Sequence, residues 1–245
     1  MPSPSTSRRS LVTGANRGLG LEFVRQLLAG GDRVIATCRQ PGRAHALNQL
    51  VGEHPGRLHL LPLDVAAPKS HAELIRELPL VLGNGDGDGG GDRLDLLVNN
   101  AGVLHSGERF GKVAAETLDD SLRTNASGPF LLTQALAPWL ADGGKVANLS
   151  SELGSIAGKD AFRTPSYSIS KAALNMATAL LARALADRGI VVLALHPGWV
   201  QTDMGGSGAE VAPQDAAAAL LRVIERADAG DSGRFLDRHG MPMAW

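Results

Sequence analysis

Short aliphatic runs alternate with longer amphipathic stretches along almost the whole chain, and this alternation limits the fold more than any other feature. Alternating strands and helices predict βα units, in which each helix carries the chain back so that successive strands lie parallel. The run 94–98 is almost continuously apolar, as expected of a parallel strand buried on both faces. The predicted strands are 10–13, 33–38, 58–63, 94–98, 145–149 and 191–195, with a short edge strand at 235–236; the predicted helices are 19–29, 44–51, 70–82, 114–137, 166–188 and 213–227.

The length of 245 residues suits one large domain with a well-buried core. No shift in composition marks a second domain, so we expect residues 10–245 to form a single domain after a disordered Ser/Pro-rich lead-in at 1–9. Arg8 and Arg9 resemble a twin-arginine export signal, but only Leu11 and Val12 follow before a turn begins. This pattern favours the solvated start of a strand.

Charge and cysteine content argue against several classes of function. The net charge of -1 indicates no nucleic-acid partner, and no apolar run is long enough for a membrane helix. Cys38 is the only cysteine, which suits the reducing cytoplasm. We expect no metal, because His196 has no His or Cys partner at ligand spacing. The Gly/Asp-rich stretch 83–92 resembles a calcium-binding repeat, but it has no second copy, which favours a surface loop.

The segment 13–20, with the sequence TGANRGLG, lies between the first predicted strand and the first predicted helix. Glycines at such a junction let the chain turn tightly and let a pyrophosphate approach the backbone. The exposed amide groups and the dipole of the following helix favour negative charge. The segment therefore predicts a dinucleotide-binding loop.

Further motifs are similar in order and spacing to those of the short-chain dehydrogenase/reductase family. The first segment has that family's TGxxxGxG form, and it is followed by Asp64-Val65, Asn99-Asn100-Ala101-Gly102, Asn125, Ser150-Ser151, Tyr167-Ser168-Ile169-Ser170-Lys171 and Pro197-Gly198. The resemblance implies an α/β fold: a Rossmann-type doubly wound parallel sheet of about seven strands, with helices on both faces, in a single domain. Segments 150–156, 171–175, 196–206 and 242–245 resemble the carbonyl reductase branch, which includes sniffer and the bacterial C-factor.

The end of the second predicted strand bears on the choice of nucleotide. An acid there would hold the ribose hydroxyls of NAD, whereas this chain has Thr37-Cys38-Arg39. Arg39 and Arg17 suit a 2′-phosphate and favour NADP (NADPH); the alternative is two solvated surface arginines. The resemblance implies that the nucleotide contacts Gly14, Asn16, Arg17, Gly18, Leu19, Gly20, Arg39, Asp64, Val65, Asn100, Ala101, Gly102, Tyr167, Lys171, Pro197, Val200 and Thr202.

Tyr167 and Lys171 are four residues apart and share a face of one predicted helix. A nearby ammonium favours the phenolate, so we expect Lys171 to lower the pKa of Tyr167 toward working pH. The resemblance implies a catalytic tetrad. In it, Tyr167 donates the proton, Lys171 binds the nicotinamide ribose, Ser151 holds the carbonyl, and Asn125 anchors a water. The alternatives are Ser150 in place of Ser151, and an Asn125 bonded to its own backbone.

These features predict an oxidoreductase that reduces an aldehyde, ketone or quinone by hydride transfer from NADPH. One alternative is a dinucleotide-binding signalling or sensor protein of the C-factor type, in which turnover is incidental; another is an oxidative NAD enzyme. Loops near 103–110, 153–164 and 204–211 are expected to form the substrate pocket. Pairing of the helices at 114–137 and 166–188 would give a homodimer or homotetramer, as family members often do.

Overall fold

The computed structural model describes residues 7–82 and 93–245. Within these ranges a seven-stranded parallel sheet has the order β3-β2-β1-β4-β5-β6-β7. The strands are β1 (Arg9–Thr13), β2 (Arg33–Cys38), β3 (Leu58–Pro62), β4 (Leu94–Asn99), β5 (Leu140–Leu149), β6 (Val191–His196) and β7 (Phe235–Asp237). The strand order reverses between β1 and β4, where α/β sheets bind ligands. The predicted doubly wound α/β fold is confirmed.

The helices cover both faces of the sheet. They are α1 (Gly18–Ala29), α2 (His45–Glu53), α3 (Pro68–Leu82), α4 (Ala115–Leu122), α5 (Gly128–Leu136), α6 (Pro165–Ala184) and α7 (Pro213–Arg226). Phe23, Leu47 and Leu220 bring α1, α2 and α7 into one apolar core. Leu74, Leu132 and Leu181 bring α3, α5 and α6 into a second core on the opposite face. The strands are apolar on both faces because each face is buried.

The helix predicted at 114–137 is interrupted. A π-helical turn, Arg123–Ser127, separates α4 from α5, and the amide of Gly128 bonds back to the carbonyl of Arg123. The physical reason is Pro129, which has no N–H to donate to the carbonyl four residues earlier. The interruption falls on Asn125, one of the predicted catalytic residues.

Smaller departures occur at the chain start and in β5. Residues 1–6 of the expected lead-in and the Gly/Asp-rich stretch 83–92 lie outside the described residues. Ser7 donates to the carbonyl of Gly31, and Arg8 pairs with Asp32 at 2.8 Å, so residues 7 and 8, expected in the lead-in, pack against the fold. Strand β5 begins at Leu140, five residues earlier than expected, with a register shift against β4. Among the described helices, none is long and apolar enough to cross a membrane.

Candidate active site

A cleft of about 550 Å³ lies at the carboxyl ends of the strands. Its walls come from the segments that follow β1 to β6, which the parallel sheet brings to one edge. Every residue predicted to contact the nucleotide lines this cleft: Gly14, Asn16, Arg17, Gly18, Leu19, Gly20, Arg39, Asp64, Val65, Asn100, Ala101, Gly102, Tyr167, Lys171, Pro197, Val200 and Thr202. Ser151 also lines it, whereas Asn125 lies behind the wall.

The glycine loop after β1 is packed too tightly for side chains. Gly14 has φ +62°, and a Cβ there would lie 2.8 Å from the Cα of Ala101. A Cβ on Gly20 would lie 2.5 Å from Asn100 Nδ2. That amide donates to the carbonyls of Thr13 and Gly14 at 2.9 and 3.1 Å. The result is a backbone cradle at the start of α1, of the kind that holds phosphates.

Two arginines lie in the cleft wall. Arg39 follows Cys38 at the end of β2 and is exposed, and no carboxylate occupies that strand end. Arg17 pairs with Asp203 at 3.1 Å, and both side chains are more than 70% exposed. Both guanidinium groups are therefore accessible to a phosphate, although Arg17 already has an acidic partner.

The adjacent serines at the end of β5 point in different directions, as strand alternation requires. Ser150 also lines the cleft, but its Oγ donates to Asn175 Oδ1 at 2.6 Å. The hydroxyl of Ser151 hydrogen-bonds the hydroxyl of Tyr167 and also accepts from the amide of Leu153 at 3.2 Å. Ser151, rather than Ser150, is thus the serine beside the tyrosine.

Tyr167 and Lys171 lie one turn apart on α6, and both are buried. Lys171 Nζ donates to the carbonyl of Leu149 at 2.6 Å and lies 5.5 Å from the centre of the Tyr167 ring. Burial raises the pKa of Tyr167 to about 12, partly offset by the hydrogen bond from Ser151. The sequence-based expectation of a lowered pKa is therefore wrong for this structure.

The reason lies in desolvation. Removing the phenolate from water destabilises it by more free energy than its hydrogen bond with Ser151 restores. Burial also lowers the pKa of Lys171 to about 8, which weakens the ammonium as a source of positive charge. Tyr167 is consequently held in its neutral, proton-donating form at neutral pH.

Asn125 sits in the π-helical turn and is fully buried. Its Oδ1 accepts from the amide of Val103, and its Nδ2 donates to the carbonyl of Val103, both at 2.8 Å. Nδ2 also donates to Ser170 Oγ at 2.9 Å. The alternative of an asparagine bonded to its own backbone is wrong. A Cβ on Gly102 would lie 3.2 Å from Asn125 Oδ1 and 3.8 Å from Lys171 Nζ, so both groups border this glycine.

His196 and Glu152 form a polar pair in the cleft wall. Nδ1 of His196 accepts from the amide of Glu152 at 3.2 Å, and Nε2 lies 3.8 Å from its carboxylate. Burial lowers the pKa of His196, and the charge of Glu152 opposes that shift. No group of three or more potential metal ligands occurs among the residues that the structure describes.

Sequence reasoning missed several polar residues that support the site. Thr13 Oγ1 accepts from the amides of Asn100 and Ala101, each at 3.0 Å, and joins β1 to the segment after β4. Glu108 bonds Ser166, the residue before Tyr167. Thr13 belongs to the predicted segment 13–20, but its bonds to Asn100 and Ala101 were not foreseen. Glu108 had no spacing signal, because its partner Ser166 is 58 positions away.

Comparisons with known proteins agree with this geometry. Residues 8–211 match the family model for short chain dehydrogenases. The NADPH-bound carbonyl reductase from chicken fatty liver superimposes with a TM-score of 0.88 at 37% identity, covering 98% of this chain and 99% of that one. Sniffer of D. melanogaster, a carbonyl reductase, gives 0.90 at 32% identity, covering 98% and 100%.

A curated relative comes from a bacterium. C-signal of Myxococcus xanthus is 40% identical over 154 residues, which span 62% of this chain and 93% of C-signal. The chain belongs to the short chain dehydrogenase family. Its expected resemblance to the carbonyl reductase branch is confirmed.

Proposed function

We propose that this enzyme reduces the carbonyl group of a small aldehyde, ketone or quinone to an alcohol, with NADPH as the reductant and Tyr167 as the proton donor. One observation carries the proposal: a buried tyrosine, hydrogen-bonded to Ser151, lines the same cleft as a glycine cradle. A carbonyl oxygen between these two hydroxyls would receive two hydrogen bonds and then a proton.

The described residues fit a nicotinamide dinucleotide. The cradle around Gly14 and Gly20 leaves no room for a Cβ, which suits close approach of a pyrophosphate to the backbone. Arg17 and Arg39, with no acid at the end of β2, suit the 2′-phosphate of NADPH better than the free hydroxyl of NADH. When bound, NADPH supplies the hydride for the carbonyl carbon.

Each side chain near the carbonyl has a separate proposed task. Ser151 holds the carbonyl oxygen by hydrogen bond. Tyr167 gives its proton to that oxygen, so the product is an alcohol and the tyrosine becomes a phenolate. Lys171 stabilises that phenolate and binds the nicotinamide ribose. Val200 and Thr202 hold the nicotinamide carboxamide.

Asn125 is proposed to support proton return to Tyr167 through a water near Lys171. Its side-chain atoms are committed to Val103 and Ser170, so the main chain of the π-helical turn is the part that would hold this water. The buried position of Asn125 beside Gly102 brings that turn close to Lys171 Nζ.

The assay is NADPH consumption with a panel of aldehydes, ketones and quinones. The Tyr167→Phe variant keeps the ring and removes the proton, and we expect it to lose roughly 100-fold to 10,000-fold in kcat/KM. The adjacent serines provide a matched pair. Ser151→Ala should lose most of its turnover, whereas Ser150→Ala should keep it at the cost of some stability.

Equal losses in the two serine variants would contradict the assigned roles. If no carbonyl is turned over although NADPH binds tightly, the signalling or sensor alternative is favoured instead. The preference for NADPH is tested by Arg39→Ala, which should raise KM for NADPH and leave KM for NADH almost unchanged.

We also propose that the chain forms a homodimer through the outer face of α5 and α6. Leu131, Ile169, Met176 and Leu180 are apolar and between 37% and 62% exposed there. A Met176→Asp variant should shift the molecular mass from dimer to monomer in light scattering.

A location in the cytoplasm is proposed from the single, buried Cys38 and is tested by cell fractionation.

A further inference from the structure

The helix that carries Tyr167 and Lys171 starts without a local cap. Thr164, the residue before α6, has the left-handed conformation φ 41°, ψ 56°, which a β-branched residue rarely adopts. Its buried hydroxyl has no hydrogen-bond partner within the described part of the chain. Pro165 has no N–H. The first turn of the catalytic helix is therefore neither relaxed nor satisfied by its own residues.

Glu108 supplies the missing acceptor from a distant loop. Its Oε2 accepts from the backbone amide of Ser166 at 3.3 Å, and its Oε1 accepts from the Ser166 hydroxyl. Ser166 is fully buried, and Glu108 is half-buried. A carboxylate at this place also interacts favourably with the positive end of the helix dipole.

The same loop forms part of the cleft wall. At its start, Val103 is held by Asn125 through both its amide and its carbonyl. Val103 and Leu104 line the cleft. Beyond Glu108, the ring of Phe110 packs edge-to-face against Phe162 at 5.6 Å, in the loop that leads into α6. The loop is thus fixed to the π-helical turn at one end and to the start of α6 at the other.

We propose that Glu108 is a positioning residue for carbonyl reduction. By holding Ser166, it sets the start of α6 and with it the Tyr167 hydroxyl relative to Ser151, and it keeps Val103 and Leu104 in the cleft wall. This inference rests on the proposed reductase function. The carboxylate acts through Ser166 and the loop and does not itself touch the reacting carbonyl.

The test uses Glu108→Ala, Glu108→Gln and Ser166→Ala, together with the double variant of the two alanine changes. In Glu108→Ala, kcat should fall roughly tenfold or more, since small misplacements of reacting groups are that costly. The KM for the carbonyl should rise, whereas the Kd for NADPH should stay constant. Glu108→Gln should recover part of kcat, because its amide oxygen still accepts one bond.

The double variant separates a specific link from general damage. If Glu108 acts through Ser166, the double variant should lose no more activity than Glu108→Ala alone. Glu116→Gln is the charge-matched control, because Glu116 is an exposed acid in the first turn of α4. A kcat within about twofold of wild type in Glu108→Ala, or fully additive losses, would overturn the inference.

A second readout does not depend on turnover. Hydrogen exchange of the first-turn amides of α6 should be faster in Glu108→Ala than in wild type or Glu116→Gln. If the wild type reduces no carbonyl, the proposed function fails, and this measurement still judges the link. Unchanged exchange in Glu108→Ala would refute it.

Discussion

Removing the hydroxyl of Ser151 should make Tyr167 harder to ionise. Burial already raises the pKa of Tyr167 from 10.0 to about 12, which corresponds to about 2.7 kcal/mol in favour of the neutral phenol. The hydrogen bond from Ser151 opposes that shift because it stabilises the phenolate. A net hydrogen bond contributes about 1 kcal/mol, so the Ser151→Ala change should raise the pKa by roughly a further 0.7.

The sequence makes this measurement unusually direct. Tyr167 is the only tyrosine in the chain, so the near-ultraviolet absorbance of phenolate reports on this one group. At pH 11 a tyrosine with an ordinary pKa is about 90% ionised, whereas a pKa of about 12 leaves roughly 10% ionised. Ser151→Ala should lower the native signal at this pH about fivefold, and unfolding in denaturant should raise both signals to the same level.

Two controls define the outcome. Tyr167→Phe should show no phenolate absorbance at all, and Ser150→Ala should titrate like wild type, because its hydroxyl bonds Asn175. Circular dichroism must show that each protein is still folded at the pH of measurement. A native wild-type protein that titrates at or below pH 10, or a Ser151→Ala protein that titrates earlier than wild type, would refute the reasoning.

Three further changes have definite expected outcomes. The Gly20→Ala change would place a Cβ 2.5 Å from Asn100 Nδ2, so the variant should no longer bind nucleotide in a fluorescence titration. The Gly52→Ala variant is the control and should bind normally, because there is open space around Gly52. The pKa of Lys171 is about 8 in the folded protein and 10.5 in the unfolded chain. Between these two pH values the unfolded chain binds the proton more tightly, so the free energy of unfolding is greatest above pH 10.5 and falls as the pH is lowered to 8. Wild type should therefore gain about 3 kcal/mol in unfolding free energy relative to Lys171→Met across that window in urea titrations, and parallel curves would contradict this. The buried side chain of Asn148 accepts a hydrogen bond from Asn99 and donates one to Thr178. The Asn148→Ala change should therefore lower the free energy of unfolding, measured in urea, by about 2 to 4 kcal/mol. The same change at the exposed Asn16 should lower it by less than about 0.5 kcal/mol.

Strands and helices were predicted well because their periodicity follows directly from burial on a two-faced sheet. The edge strand at Phe235 and the glycine loop after β1 both appear where expected. The π-helical turn was missed because the apolar pattern was read as continuous over 114–137, although Pro129 inside that range is a residue type that interrupts helices. A hydrophobic pattern does not distinguish a continuous helix from one with a single widened turn.

Site residues were predicted as a set, but their electrostatics were not. Spacing places Tyr167 and Lys171 on one helix face, and this is where the structure has them. The direction of the pKa shift depends on depth of burial, which the spacing does not contain. Glu108 escaped notice for a related reason: its partner Ser166 is 58 residues away, and only the folded chain brings them together.

The hydrogen bonds between Thr13 and Asn100 connect β1 to the segment after β4, at the place where the strand order reverses and the sheet divides into two parts. On one side lie the glycine loop and Arg39; on the other lie Ser151 and the helix that carries Tyr167. A chimaera that exchanges the second part with a relative, in order to change substrate preference, must therefore keep both partners of this seam. If it does, the exchange leaves the glycine loop and Arg39 of the recipient in place while the residues around Ser151 and Tyr167 come from the donor.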